Sequence, residues 1–97
     1  MLHIVNKSPF THGNLKTCLT FAGKDDPILL IEDGIYGAMA GTAVEGMMKE
    51  AVAGRPVYAL EADLKARGVD KLMDGIKVCD YAGFVDLVAE HRPQSWL

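Results

Sequence analysis

Cys18 is the residue best suited to covalent chemistry, and it shares i, i+3, i+4, i+7 spacing with Leu15, Leu19 and Ala22. That spacing lines one face of a helix, so the thiol points inward or lies at the margin of a buried face. Two readings stay open. As a packing group, a free cysteine behaves as a small hydrophobe and suits such a face. As a nucleophile it needs exposure and nearby positive charge, because the thiolate carries out sulfur and disulfide exchange. Lys7, His12 and Lys16 are its cationic neighbours along the chain. Cys79 closes an apolar run behind Ile76 and Val78 and reads as packing, although strand ends of this kind border ligand sites in open α/β sheets.

The segment NKSPFTHGN carries Lys7, Ser8, Thr11 and His12, polar groups able to line a small anion site or to form an ordinary surface loop. Glu32-Asp33-Gly34 offers carboxylates that could act as bases or contact a partner, or simply start a helix. Met39, Met47 and Met48 suit either core filling or an adaptable partner surface. His3, His12 and His91 show no i, i+4 ligand spacing, and there is no C-x-x-C. A metal site and a disulfide framework are therefore not expected, and both cysteines read as free thiols. The phosphate-cradling motifs G-x-G-x-x-G and G-x-x-x-x-G-K-[ST] are absent.

These residues must be positioned by a small framework. Ninety-seven residues form one domain, residues 1–97, with room for one core. The apolar fraction of 49% and charged fraction of 24% are those of a globular chain. Mean hydropathy of +0.11 is high for so small a domain, which suggests surface reserved for partner subunits. A net charge of −3 with both signs scattered provides no basic stripe for phosphates, so direct nucleic-acid binding is disfavoured. No leader pattern and no membrane-length apolar run is visible, which sets the expectation of a cytoplasmic protein without a membrane partner.

Four short apolar runs alternate with helical patterns, the signature of βαβ units. The strands fall at Leu2–Val5, Pro27–Ile31, Pro56–Leu60 and Ile76–Cys79. A helix is expected from Asn14 to a stop at Gly23. Another region after Gly34 is expected to be broken, since Gly34, Gly37 and Gly41 each cost about 1 kcal/mol against alanine in a helix. Glu61–Arg67 places acids first and bases last, matching the helix dipole. A final helix runs from Tyr81 to about His91, N-capped by Asp80, with Phe84, Val85, Leu87 and Val88 as its buried side. Pro93 ends it, and the tail Gln94-Ser95-Trp96-Leu97 is expected to dock on its own domain or a neighbour.

Four blocks carry a more specific signal: MLHIVNKSP, LLIEDGIYGAMAG, VYALEADLKARG, and DYAGFVDL ahead of a terminal SWL. In this order, over nearly the whole chain, they resemble the DsrH/TusB family of sulfur-relay subunits, and closely its DsrH branch. The resemblance implies a flavodoxin-like three-layer α/β fold, with helices on both faces of a small, mainly parallel sheet of about four strands. It also implies a heterohexamer with DsrE/TusD-like and DsrF/TusC-like subunits that relays persulfide sulfur between protein cysteines to a DsrC/TusE-like carrier. The DsrH branch serves dissimilatory sulfur oxidation and the TusB branch tRNA wobble-uridine 2-thiolation. Cys18 falls where the DsrH branch carries a cysteine, which favours sulfur oxidation. In such complexes the main transfer cysteine lies on the DsrE/TusD-like chain. Cys18 is then a candidate persulfide or auxiliary thiol, or the chain is a non-catalytic assembly subunit. No cofactor or metal is implied.

Overall fold

The computed structural model describes residues 1–96. Its strands are β1 (Leu2–Val5), β2 (Ile28–Leu30), β3 (Val57–Leu60), β4 (Ile76–Cys79) and β5 (Pro93–Trp96). Between them lie α1 (Asn14–Phe21), a 3₁₀ helix (Glu32–Ala38), α2 (Glu45–Gly54), α3 (Glu61–Ala66) and α4 (Tyr81–Glu90). The strands form one sheet in the order β4-β3-β2-β1-β5, and every neighbouring pair is parallel.

The layering follows from the handedness of the crossovers. Steps from β1 to β2, β3 and β4 all move in one direction, so right-handed connections put their helices on one face. There Leu15, Cys18, Ile35, Met48, Ala51 and Leu64 pack on Val5, Ile28, Leu30, Val57 and Ala59. The return from β4 to β5 runs the other way and puts α4 on the opposite face. Leu87, with Phe84 and Val88, closes over Leu2, Ile4, Leu29, Leu60 and Cys79. Helices thus cover both faces of a parallel sheet, as expected, with four helical pieces on one side and a single helix on the other.

The sheet has five strands where about four were expected. Pro93 does end the last helix, but it also opens β5, which pairs Leu2↔Pro93 through Val5↔Trp96. The segment PQSW has no apolar alternation to betray a strand. It is held at the sheet edge by backbone pairing, where a proline at the first position removes no needed donor. Trp96 packs on its own domain; Leu97 lies outside the described residues. Val85 is also corrected: it is 65% exposed, because one helix spanning this face buries only the narrow stripe of Phe84, Leu87 and Val88. Met48 is core, fully buried on the sheet-facing side of α2.

The broken helical region takes the form of the 3₁₀ helix followed by α2. A Cβ on Gly34 would collide with the carbonyl oxygen of Val5, so glycine lets the 3₁₀ helix sit against the carboxyl end of β1. Glu32 has φ of 49°, a left-handed conformation unusual for its type, and its N–H is fixed by Asp63 Oδ2 at 2.7 Å.

Candidate functional site

α1 turns toward the sheet through Leu15 and Cys18, the two residues of that helix that are buried. Cys18 has no measurable exposure. Burial pushes its thiol up to about 12, against a lowering by the positive charge of Arg55 and with a further rise from Asp26. Near neutral pH the group is therefore a thiol, sealed from solvent, and reaction would require α1 to lift.

The cation that acts on Cys18 is Arg55, just beyond α2, rather than Lys7, His12 or Lys16. Nothing local in the sequence links Arg55 to Cys18; the pairing arises because α1 and α2 lie side by side on one face of the sheet. Between them opens a cleft of about 190 Å³, lined by Leu19, Met47, Glu50, Ala51 and Arg55.

The other sequence candidates do not join this place. Ser8, Thr11 and His12 bond within their own loop: the Thr11 and His12 N–H groups donate to the Ser8 carbonyl, and the Thr11 hydroxyl lies 2.8 Å from His12 Nδ1. Cys79 is buried on the opposite face under α4, with its thiol raised by burial and by Asp80. Asp80 caps α4, accepting from the Gly83 N–H at 2.8 Å. At the carboxyl end of the sheet Arg67 binds Asp33 at 2.9 Å and approaches Asp63 at 3.5 Å. The carboxylate of Asp33 is thereby held in an ion pair with a helix on the same face, while Glu32 and Asp33 also open the 3₁₀ helix.

His3, read only as a strand residue, is the centre of a buried polar contact. Its Nε2 lies 2.9 Å from Asp26 Oδ2 and its Nδ1 accepts from the Trp96 indole at 3.1 Å. Among the described residues no group of three or more His, Cys, Asp or Glu side chains could hold a metal ion. No helix there is long and apolar enough to cross a membrane.

Comparison with known proteins places the fold and the family. The fold matches the crystal structure of the YchN protein from E. coli with a TM-score of 0.78 at 15% identity, over 97% of each chain. In sequence, the chain is 35% identical to Protein TusB of Pectobacterium carotovorum subsp. carotovorum and 36% identical to Protein TusB of Serratia proteamaculans. Each alignment covers 99% of this chain and all of the relative. The family model described as DsrH like protein matches residues 7–94. With that span and those full-length relatives, the chain belongs to the DsrH-like family, which includes the TusB proteins.

Proposed function

We propose that this chain is a subunit of a sulfur-relay complex, assembled with DsrE/TusD-like and DsrF/TusC-like chains into a heterohexamer, and that its part is chiefly to hold that assembly. The observation that carries this reading is the state of Cys18, which has no exposure and a thiol raised to about 12. Transfer needs an accessible thiolate, so the main sulfur-accepting cysteine belongs on the DsrE/TusD-like chain. Tyr81 and Val85, each 65% exposed and one turn apart on α4, offer apolar surface for a neighbouring subunit.

The test uses the reconstituted complex. Cys18→Ser should leave sulfur transfer to a DsrC/TusE-like carrier unchanged, while Tyr81→Ser with Val85→Ser should dissociate the complex on a sizing column. Loss of transfer in Cys18→Ser with the complex intact would overturn the assembly reading.

A second reading, supported by the positive charge of Arg55 near the thiol, makes Cys18 an auxiliary sulfur site. When α1 opens, the Cys18 thiolate attacks the outer sulfur of a donor persulfide. The S–S bond breaks, the donor leaves as a thiolate, and Cys18 carries the sulfane sulfur. Intact mass after incubation with a persulfide donor should then show about 32 Da added at Cys18.

The destination of the sulfur also has two supports. Cys18 itself favours a DsrC-like carrier in sulfur oxidation, and the TusB names of the relatives favour tRNA wobble-uridine 2-thiolation. Measuring 2-thiouridine in tRNA from cells lacking this chain separates them: its loss supports the tRNA role, and unchanged thiolation with impaired sulfur oxidation supports the other.

A further inference from the structure

The helix that carries Cys18 is held down largely from outside itself. α1 has eight residues, no side-chain hydrogen bond at its N-cap, no acidic residue in its first turn and no basic one in its last. Isolated helices shorter than about 12–15 residues are marginal in water, so α1 depends on its packing and its fastenings. Its inner side rests on the sheet through Leu15 and Cys18. Three further contacts fix its ends, and each leads to Trp96, directly or through His3. At the amino end the Asn14 amide donates to the Trp96 carbonyl at 3.3 Å. At the carboxyl end Phe21 stacks on the Trp96 indole. Just beyond it the Gly23 N–H donates to Asp26 Oδ2, the oxygen that lies 2.9 Å from His3 Nε2, and His3 Nδ1 accepts the indole N–H.

β5 is built to release. It lies at the sheet edge and pairs with β1 alone. Pro93 brings no N–H to that pairing, and Pro93, Gln94 and Ser95 are exposed, which leaves Trp96 as the one half-buried side chain of the strand. Segments with few buried apolar contacts open at lower free energy than the core. Departure of Trp96 breaks the indole bond, the Phe21 stack and the Asn14 bond together. Cys79 is remote from this event: it lies on β4, at the far edge of the sheet, and on the face that α4 covers.

We propose that β5 is a strap that gates Cys18: release of Trp96 from its seat between His3 and Phe21 frees α1 to lift and uncovers the thiol, while β2, β3 and β4 stay folded. Opening of the strap is the local event through which Cys18 meets a thiol reagent or a donor persulfide. Its use as a gate for sulfur rests on the auxiliary-thiol reading, and the gating itself does not.

The test compares the two cysteines of the full chain. Labelling with a thiol reagent at pH 8 without denaturant, followed by peptide mass mapping, gives separate rates for Cys18 and Cys79. Trp96→Ala removes both the indole bond and the stack, so the ratio of the Cys18 rate to the Cys79 rate should rise by at least about tenfold over the parent chain. An unchanged ratio in a folded Trp96→Ala chain overturns the proposal, whether neither thiol speeds up or both do so together. Native-state hydrogen exchange of the unsubstituted chain decides the matter even if the substitution impairs folding. The α1 amides, such as the Ala22 N–H bonded to the Cys18 carbonyl, should open together with the β1–β5 ladder and at lower denaturant than β2 and β3. α1 amides that open only with β2 and β3 overturn the strap. Intact mass after incubation with a persulfide donor separates the two readings: a Cys18 that labels faster in Trp96→Ala yet gains no sulfur supports the strap and removes the auxiliary-thiol reading.

Discussion

The indole N–H of Trp96 donates to Nδ1 of His3 at 3.1 Å, so this nitrogen carries no proton and the ring holds its proton on Nε2, facing Asp26 at 2.9 Å. One imidazole thereby joins the edge strand β5 to the loop before β2. The indole also stacks on Phe21, with ring centroids 6.4 Å apart, and the Asn14 amide donates to the Trp96 carbonyl. The tail is thus fastened by side chains as well as by its pairing with β1. Trp96→Phe removes the donor while keeping an aromatic ring, and it leaves a buried imidazole acceptor unmet. A loss of about 1–3 kcal/mol is expected. Urea unfolding should show a lower midpoint with an unchanged slope; an unchanged midpoint would mean that the contact contributes nothing.

Asp26 gathers donors. Its carboxylate takes hydrogen bonds from His3 and from the Gly23 N–H at 2.8 Å, and these hold its pKa down at about 2. An unfolded aspartate titrates near ~3.9, so in acid the folded state binds fewer protons than the unfolded state. The stabilisation from Asp26 is then complete above about pH 4 and is lost as pH falls through that value toward 2. Asp26→Asn should be less stable than the parent chain at pH 6, and the gap between the two should close between pH 4 and 2. Denaturant midpoints collected across that range test this; a gap independent of pH would overturn it.

Cys18 provides a kinetic prediction. Burial both hides the sulfur and raises its pKa from 9.0 to about 12. Those three units alone reduce the thiolate fraction near neutral pH by about a thousandfold, and exclusion of the reagent lowers the rate further. Labelling with a thiol reagent at pH 8 should therefore be slower by at least about 10³ in the folded chain than in urea. It should speed up in proportion to the opening of α1 as denaturant is raised. Rapid labelling of Cys18 without denaturant would show that α1 opens readily and would favour the auxiliary-thiol reading.

The periodicity of Leu15, Cys18, Leu19 and Ala22 was enough to turn Cys18 toward the core, and three of the four apolar runs anticipated as strands lie fully or largely buried. Four features were not legible, each for a physical reason. β5 is defined by backbone pairing to β1 and carries no hydrophobic pattern. The exposure of Val85 depends on how many helices cover that face of the sheet, which no local window records. Arg55 acts on Cys18 only because α1 and the end of α2 cover the same face of the sheet, whereas Lys7, His12 and Lys16 are near it only along the chain. The His3–Asp26–Trp96 contact is likewise built from three separate parts of the chain.

Gly34 and Gly46 should respond to the same substitution in opposite directions. A Cβ at Gly34 would run into the Val5 carbonyl oxygen, a backbone atom that can move only if β1 or the 3₁₀ helix moves. Gly34→Ala should therefore destabilise by about 1–3 kcal/mol, as overpacking does. Gly46 lies inside α2 with nothing within 4 Å of an added Cβ, and its φ is negative. There alanine meets no obstruction and narrows the freedom of the unfolded chain, so Gly46→Ala should stabilise by about 0.5–1 kcal/mol. Thermal and urea unfolding of the two variants side by side check the pair. A Gly34→Ala chain as stable as its parent would show that the 3₁₀ helix does not rest on the end of β1, and the close approach described for Gly34 would be refuted.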